Sequence, residues 1–161
     1  MPGSDYNLMR ADGSVLTGHQ GMDFRASRGT PVIPATHGVV SKVRTYPCGG
    51  GTITVQTTLK KKEGQREGTL YAKYFHLDPL KHVAKSYATV KPGDLIGYVS
   101  GDEDKCSGPE PHLHFELRFD DQYTGHRDPH PYWLKGPHKI TCFRKGLSVP
   151  NDKMVAPMKC N

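Results

Sequence analysis

Apolar and polar residues alternate most cleanly between Glu110 and Phe119, in the run Glu-Pro-His-Leu-His-Phe-Glu-Leu-Arg-Phe. After Pro111, Leu113, Phe115, Leu117 and Phe119 fall on one side, and His112, His114, Glu116 and Arg118 on the other. Side chains of a strand point to opposite faces with period two, so this pattern predicts a strand with one core-facing side. The other side projects two imidazoles from neighbouring same-face positions, roughly 6–7 Å apart along the strand. Such a pair is placed to bind one metal ion, or to divide ligation and proton transfer between its members. Alone, His-x-His is a weak signal, since surface histidine pairs are common, and it needs partners elsewhere.

The rest of the chain reads as short strands between turns. Residues 1–17 form a polar lead-in with a short strand around Ser14–Leu16. In Gly18-His19-Gln20-Gly21-Met22-Asp23-Phe24 the two glycines argue against a helix. A turn running into a strand is expected, with His19 at its mouth and Asp23 within it. Pro31 and Pro34 bar a helix, and Gly38 opens an alternating run from Val39 to Tyr46. Cys48-Gly49-Gly50-Gly51 is a turn, Thr52–Thr58 is strand-like, and Lys60–Gly68 is a charged connection. Leu70–Leu77 returns as a strand, completing an antiparallel meander. Leu80–Val90 has weak helical or irregular character. Lys91-Pro92-Gly93-Asp94 is a turn, Leu95–Ser100 a short strand, and Gly101–Pro111 a polar loop. Tyr123–Gly136 is turn-rich, and Pro137–Asn161 is an irregular or short-stranded extension.

Composition narrows the class. At 161 residues with 35% hydrophobic content, 18 glycines and 13 prolines, the chain suits one domain of short strands rather than a helical bundle. The expected fold is mostly β, with an antiparallel sheet core, loops around it and little helix. Net charge is +6, which draws anionic partners such as nucleic acid, acidic lipid or an acidic wall polymer. No basic patch with interleaved aromatics accompanies it, and Lys60-Lys61-Lys62 falls at a hairpin tip, so nucleic acid is not the expected partner. No apolar run is long enough to cross a bilayer, and no leader pattern is visible at the N-terminus.

The four cysteines, Cys48, Cys106, Cys142 and Cys160, lack Cys-x-x-Cys spacing, which argues against a structural zinc knot. An even count suits two disulfides in an oxidising compartment, with Cys142–Cys160 and Cys48–Cys106 the expected pairs among three connectivities. Four reduced thiols are the alternative. Cys106 beside Ser107-Gly108 also invites a cysteine-peptidase reading, which the absence of a strand-to-helix elbow weakens.

Five motifs occur in a fixed order: His19-x-x-x-Asp23, Gly29-Thr30-Pro31-Val32, Tyr74-Phe75-His76-Leu77, Val90 to Gly97, and His112-Leu113-His114-Phe115-Glu116. Together they resemble the LytM/lysostaphin-type zinc endopeptidases, peptidase family M23, over roughly Gly18 to Leu134. The resemblance implies a catalytic domain over 18–136, between the polar lead-in over 1–17 and the extension over 137–161, which is expected to pack on the same domain. It also implies an antiparallel sheet with a substrate groove between loops. Carried over residue by residue, it implies a Zn2+ held by His19, Asp23 and His114, with His76 and His112 as non-ligand catalytic histidines. Spacing alone does not make that split, because both imidazoles of a His-x-His pair can reach one metal. The loop before His112, carrying Asp102-Glu103-Asp104-Lys105-Cys106, is longer than the family's usual arrival, which bears on groove shape. Tyr6 is the one upstream tyrosine and is not assigned.

The implied substrate is the peptide part of bacterial peptidoglycan, cut by a zinc-activated water outside the cytoplasm. His112 is expected to be the general base and His76 to stabilise the oxyanion or donate to the leaving nitrogen; the two roles are exchangeable. Glu116 on the same face is expected either to orient a ligand or to form a surface salt bridge. The other histidines, His37, His82, His126, His130 and His138, are read as surface or turn residues. The rival class is a non-catalytic relative that binds wall or activates an amidase. A delivered antibacterial toxin, neutralised by a cognate inhibitor, is a further expectation. A copper/zinc redox protein would need ligands at spacings not found here.

Overall fold

The strand that carries the His-x-His pair lies in the interior of the principal sheet, flanked on both sides. The computed structural model describes residues 2–4, 20–46, 50–60, 69–101, 110–119 and 125–160. Its strands are β1 (Pro2–Ser4), β2 (Met22–Arg25), β3 (Pro31–Val32), β4 (Gly38–Thr45), β5 (Gly51–Thr57), β6 (Tyr71–Leu77), β7 (Thr89–Val90), β8 (Gly97–Tyr98), β9 (His112–Arg118) and β10 (His126–Arg127). The principal sheet is antiparallel with order β1-β2-β9-β6-β5-β4-β7, and β10 also pairs with β9. β3 and β8 form a separate two-stranded sheet. Among the described residues the one helical element is a 3-10 turn, His130–Tyr132. The fold is mostly β, as the alternation predicts.

The meander β4–β5–β6 follows chain order. β9 then inserts between β6 and β2, joining the two ends of the domain. Its apolar side, Leu113, Phe115 and Leu117, is fully buried together with Met22, Phe24, Ala72, Tyr74, Ile53, Val55 and Val40. The opposing layer comes from Val32, Ile96 and Val99 around the small sheet, and from Tyr132, Trp133, Met154, Ala156 and Met158. Each fully buried Leu, Ile, Phe or Met contributes about 1.5–3 kcal/mol, so this interior fixes which face of β9 is left for chemistry.

The C-terminal stretch is woven into the same core. Val155 N–H donates to Ala35 O and Ile33 N–H to Pro157 O, both at 2.9 Å. Val32 bridges to Met158, and Trp133 to Met154. A disulfide joins Cys142 and Cys160. The expected Cys48–Cys106 pair lies outside the described residues, as does the strand expected around 14–16.

Leu80–Val90 takes the irregular one of its two expected characters: Tyr87 has a left-handed φ of 67°, and Thr89–Val90 pairs with β4. One expectation changes. The strand expected over Leu95–Ser100 contracts to Gly97–Tyr98, with Val99 in an isolated bridge to Leu77.

Candidate active site

Antiparallel pairing decides which side chains meet. β2 lies against β9 with Asp23 opposite His114 and Arg25 opposite His112. Directly opposed residues share a face, so Asp23 joins the two imidazoles on the side away from the core. Asp23 Oδ1 lies 2.7 Å from His114 Nδ1 and 3.7 Å from His112 Nε2. One carboxylate oxygen therefore faces a ring nitrogen of each histidine.

His76 reaches this face by a different device. On β6, Phe75 is opposite His114, and alternation would send His76 into the core. The β5–β6 register runs from Gly51↔Leu77 to Ile53↔Tyr74, so β6 carries one extra residue there. Such a bulge re-aims a side chain. His76 takes φ 62°, a left-handed conformation that costs a non-glycine residue about 1–2 kcal/mol. Ser100 N–H, donating to His76 O at 2.8 Å, helps to hold it. The turned ring lies 4.7 Å from His112 and 6.1 Å from His114, centroid to centroid.

The tautomer of His112 follows from its neighbour. Its Nδ1 lies 3.0 Å from Glu110 O, and a carbonyl only accepts, so Nδ1 carries the hydrogen. In the neutral ring the lone pair is then on Nε2, the nitrogen that faces Asp23.

His114 is held from behind. Its Nε2 lies 2.8 Å from Glu116 Oε1, and the other Glu116 oxygen pairs with the Arg118 guanidinium. Glu116 is 6% exposed and Arg118 4%, so this is a buried network and not the surface salt bridge that was one of the expectations. His126 Nε2 approaches Glu116 Oε2 at 3.6 Å. Burial alone would lower the His114 pKa, but hydrogen bonds to Asp23 and Glu116 outweigh it and push the imidazole up to about 9. Burial would raise Glu116, but the hydrogen bond and charge of His114, with Arg118 beside it, hold it below the usual glutamate value.

Gly21 makes room for this arrangement. A Cβ there would stand 2.5 Å from Phe115 O and 2.8 Å from both His114 Cε1 and Glu116 Cγ. In the sequence this glycine argued only against a helix. Arg118 was placed only by its parity with Glu116 on the polar face, and His126 was read as a surface or turn residue. His19 lies outside the described residues.

Three of the histidines read as surface or turn residues have buried ring atoms or specific partners. His130 is 5% exposed, with Nδ1 accepting from Trp133 Nε1 at 3.1 Å and its ring stacked on His138. His37 lies 2.7 Å through Nε2 from Val149 O, and both ring nitrogens of His82 are buried. Each serves packing away from the Asp23–His114 pair.

Asp23 and His114 suit zinc in donor chemistry, one carboxylate oxygen and one imidazole nitrogen. The ring nitrogen turned to Asp23 is Nδ1, while Nε2 is engaged by Glu116, an arrangement that fixes ring orientation in carboxylate–histidine–metal sites. The glycine at 21 keeps the ring's flank open. Among the described residues no set of three donors is complete, and the third ligand implied by the resemblance is His19.

The family model of peptidase family M23 matches residues 17–126. An uncharacterised metalloprotease of Haemophilus influenzae is 38% identical over 99 residues, 62% of this chain and 18% of that protein. The peptidoglycan DD-endopeptidase ShyC of Vibrio cholerae is 28% identical over 138 residues, 86% of this chain and 28% of that protein. The chain thus spans less than a third of either curated relative. Among solved structures, the catalytic domain of the prophage-encoded M23 protein EnpA from Enterococcus faecalis superposes with a TM-score of 0.61 at 26% identity, covering 80% of this chain and 88% of that one. Lysostaphin from Staphylococcus simulans gives 0.60 at 26% identity, covering 81% and 47%. A zinc-containing peptidase from Vibrio cholerae gives 0.52 at 30% identity, covering 73% and 32%.

Proposed function

This chain belongs to peptidase family M23, and from that premise we propose that it is a zinc-dependent endopeptidase acting on the peptide part of bacterial peptidoglycan, outside the cytoplasm. The observation that carries the reading is the single Asp23 carboxylate oxygen facing one nitrogen of His114 and one of His112. The relatives named as a metalloprotease and a peptidoglycan endopeptidase support the activity and the substrate class. The zinc-containing neighbour supports the metal. Asp23 and His114, with His19, would hold the ion.

When bound, zinc supplies Lewis acidity and a water whose pKa falls to about 7. The protein's own groups do the rest. His112, with its lone pair on Nε2, takes a proton from the attacking water and passes it to the leaving amine. His76 donates a hydrogen bond to the carbonyl oxygen as negative charge develops there. Glu116 and Arg118 keep the His114 ring from rotating.

No observation favours a non-catalytic wall-binding role. The neighbour lysostaphin is named an antimicrobial peptidase, but nothing among the relatives bears on delivery into a rival or on a cognate inhibitor, and neither is carried forward. Among the described residues no helix is long and apolar enough to cross a membrane. The test is incubation of zinc-loaded protein with purified peptidoglycan of several chemotypes, followed by mass spectrometry of released fragments. New peptide termini, lost with a chelator and retained with a thiol alkylator, are expected. Intact wall in every chemotype would refute the proposal.

A further inference from the structure

On the edge of β9 away from β6, two different strands pair in turn, and Glu116 falls at the gap between them. β2 covers His112 to Phe115, and β10 covers Leu117 and Arg118. Gly21, the residue before β2, stands at this gap with no side chain to offer, and a Cβ there would already be 2.8 Å from Glu116 Cγ. The side chain that reaches the Glu116 carboxylate from this edge is His126 on β10. His126 is opposite Arg118 in the strand register, so it shares the face of Glu116, His114 and Asp23.

His126 Nε2 lies 3.6 Å from Glu116 Oε2, the oxygen that also accepts from Arg118, and the His126 side chain is 10% exposed. This is longer than a hydrogen bond and within ion-pair reach; opposite a carboxylate oxygen, the tautomer with its hydrogen on Nε2 is favoured. The turn that delivers the ring is pinned. Phe119 N–H donates to Gly125 O at 2.8 Å, and Arg127 Nη1 donates to His126 O at 2.7 Å. The Arg127 guanidinium lies 3.3 Å over the Phe119 ring. One line of polar groups thus runs from the open face to the rear, from Asp23 through His114 and Glu116 to His126, in steps of 2.7, 2.8 and 3.6 Å. The terminal torsion of a glutamate is broad, so a carboxylate held at Oε2 from one side can still turn. A second donor at Oε2 opposes the rotation that would carry Oε1 away from His114 Nε2.

We propose that His126 is a positioning residue for the metal site: standing against Glu116 Oε2 from β10, it fixes the carboxylate whose other oxygen holds His114, and so raises zinc affinity. The proposal deepens the zinc peptidase reading and rests on it. His126 acts through Glu116 and contacts neither metal nor substrate.

The experiment measures zinc affinity by competition with a chromogenic chelator in His126→Leu and His126→Gln, each alone and combined with Glu116→Gln, with urea midpoints of the metal-free proteins in parallel. Leucine fills the space without a donor, whereas glutamine carries an N–H near the position of the imidazole Nε2. His126→Leu is expected to bind zinc about two- to tenfold more weakly, the worth of one neutral hydrogen bond. His126→Gln is expected to keep the affinity of the unmodified protein. In the Glu116→Gln background leucine should cost nothing further, because the carboxylate it acts through is gone. The midpoint of the competition gives the affinity, so partial unfolding lowers the stoichiometry and does not mimic the loss. Unchanged affinity in His126→Leu would overturn the proposal. An equal loss in leucine and glutamine variants, or a loss that persists with Glu116→Gln, would also overturn it and make His126 a packing residue. An unmodified protein that binds no zinc would overturn the metal reading and the positioning role with it, a result visible before any substitution is made.

Discussion

Glu116 Oε1 lies 2.8 Å from His114 Nε2, on the side of the ring opposite the nitrogen that faces Asp23. The ring is thus clamped between two carboxylates, one directed to the open face and one buried behind it. Glu116→Gln keeps a hydrogen-bonding side chain but removes the charge. Zinc affinity, measured by competition with a chromogenic chelator, is expected to fall about 10–100-fold. Unchanged affinity would make Glu116 a packing residue.

Glu116→Ala should do more than weaken metal binding. It removes the carboxylate that pairs with the buried Arg118 guanidinium, 4% exposed. Breaking one side of a buried pair costs about 3–5 kcal/mol. Urea denaturation should show a loss of that order, and the double variant Glu116→Ala/Arg118→Met should recover part of it.

Gly21→Ala would place a methyl 2.5 Å from the Phe115 carbonyl oxygen and 2.8 Å from His114 Cε1. Overpacking of this kind costs about 1–3 kcal/mol. Reduced zinc content is expected alongside a lowered urea midpoint, because the imidazole is among the groups that must give way. A variant with normal stability and full zinc would show that the loop absorbs the methyl.

The metal-free protein should lose stability as pH rises from about 6.5 to 9. The folded-state pKa of His114 is pushed up to about 9, above the ordinary value of 6.5, by Asp23 and Glu116 against the opposing effect of burial. A raised imidazole pKa contributes stability that is complete below the unfolded value and disappears as pH passes the folded one. Thermal melts in chelator across that range measure it, and Asp23→Asn should flatten the slope. The same proton competes with zinc, so metal uptake in this range should release protons.

His76→Ala and His112→Ala should each lower turnover by about 10²–10⁴-fold while zinc remains bound, because the proposed mechanism gives His112 the proton transfer and His76 the developing oxyanion, with neither as a ligand. Metal analysis run in parallel with the wall assay checks this. Zinc lost with His112 would make that residue a ligand.

How much of this was legible in the chain differs from residue to residue. The β9 alternation was readable because Leu113, Phe115 and Leu117 bury one side with a period only a strand has. The union of Asp23 with His114 came only through the family resemblance, since 91 residues separate them and nothing local specifies that β2 pairs with β9. Glu116 and Arg118 were visible as same-face residues, yet a polar pair reads as solvent-exposed until β10 and β6 are seen on either side of it. His76 is the hardest case, because its direction depends on a left-handed bulge at a residue that is not glycine. The division of the histidines into ligands and catalysts came from the family resemblance and not from spacing.

The central claim is tested most directly by a crystal structure of the zinc-loaded protein with anomalous data collected at the zinc edge. One zinc is expected, bonded to Asp23 Oδ1, to His114 Nδ1 and to His19 at about 2.0–2.2 Å, with His76 and His112 unbonded beside it. A zinc bonded to His112 in place of His19, or no anomalous peak at this face, would contradict the account.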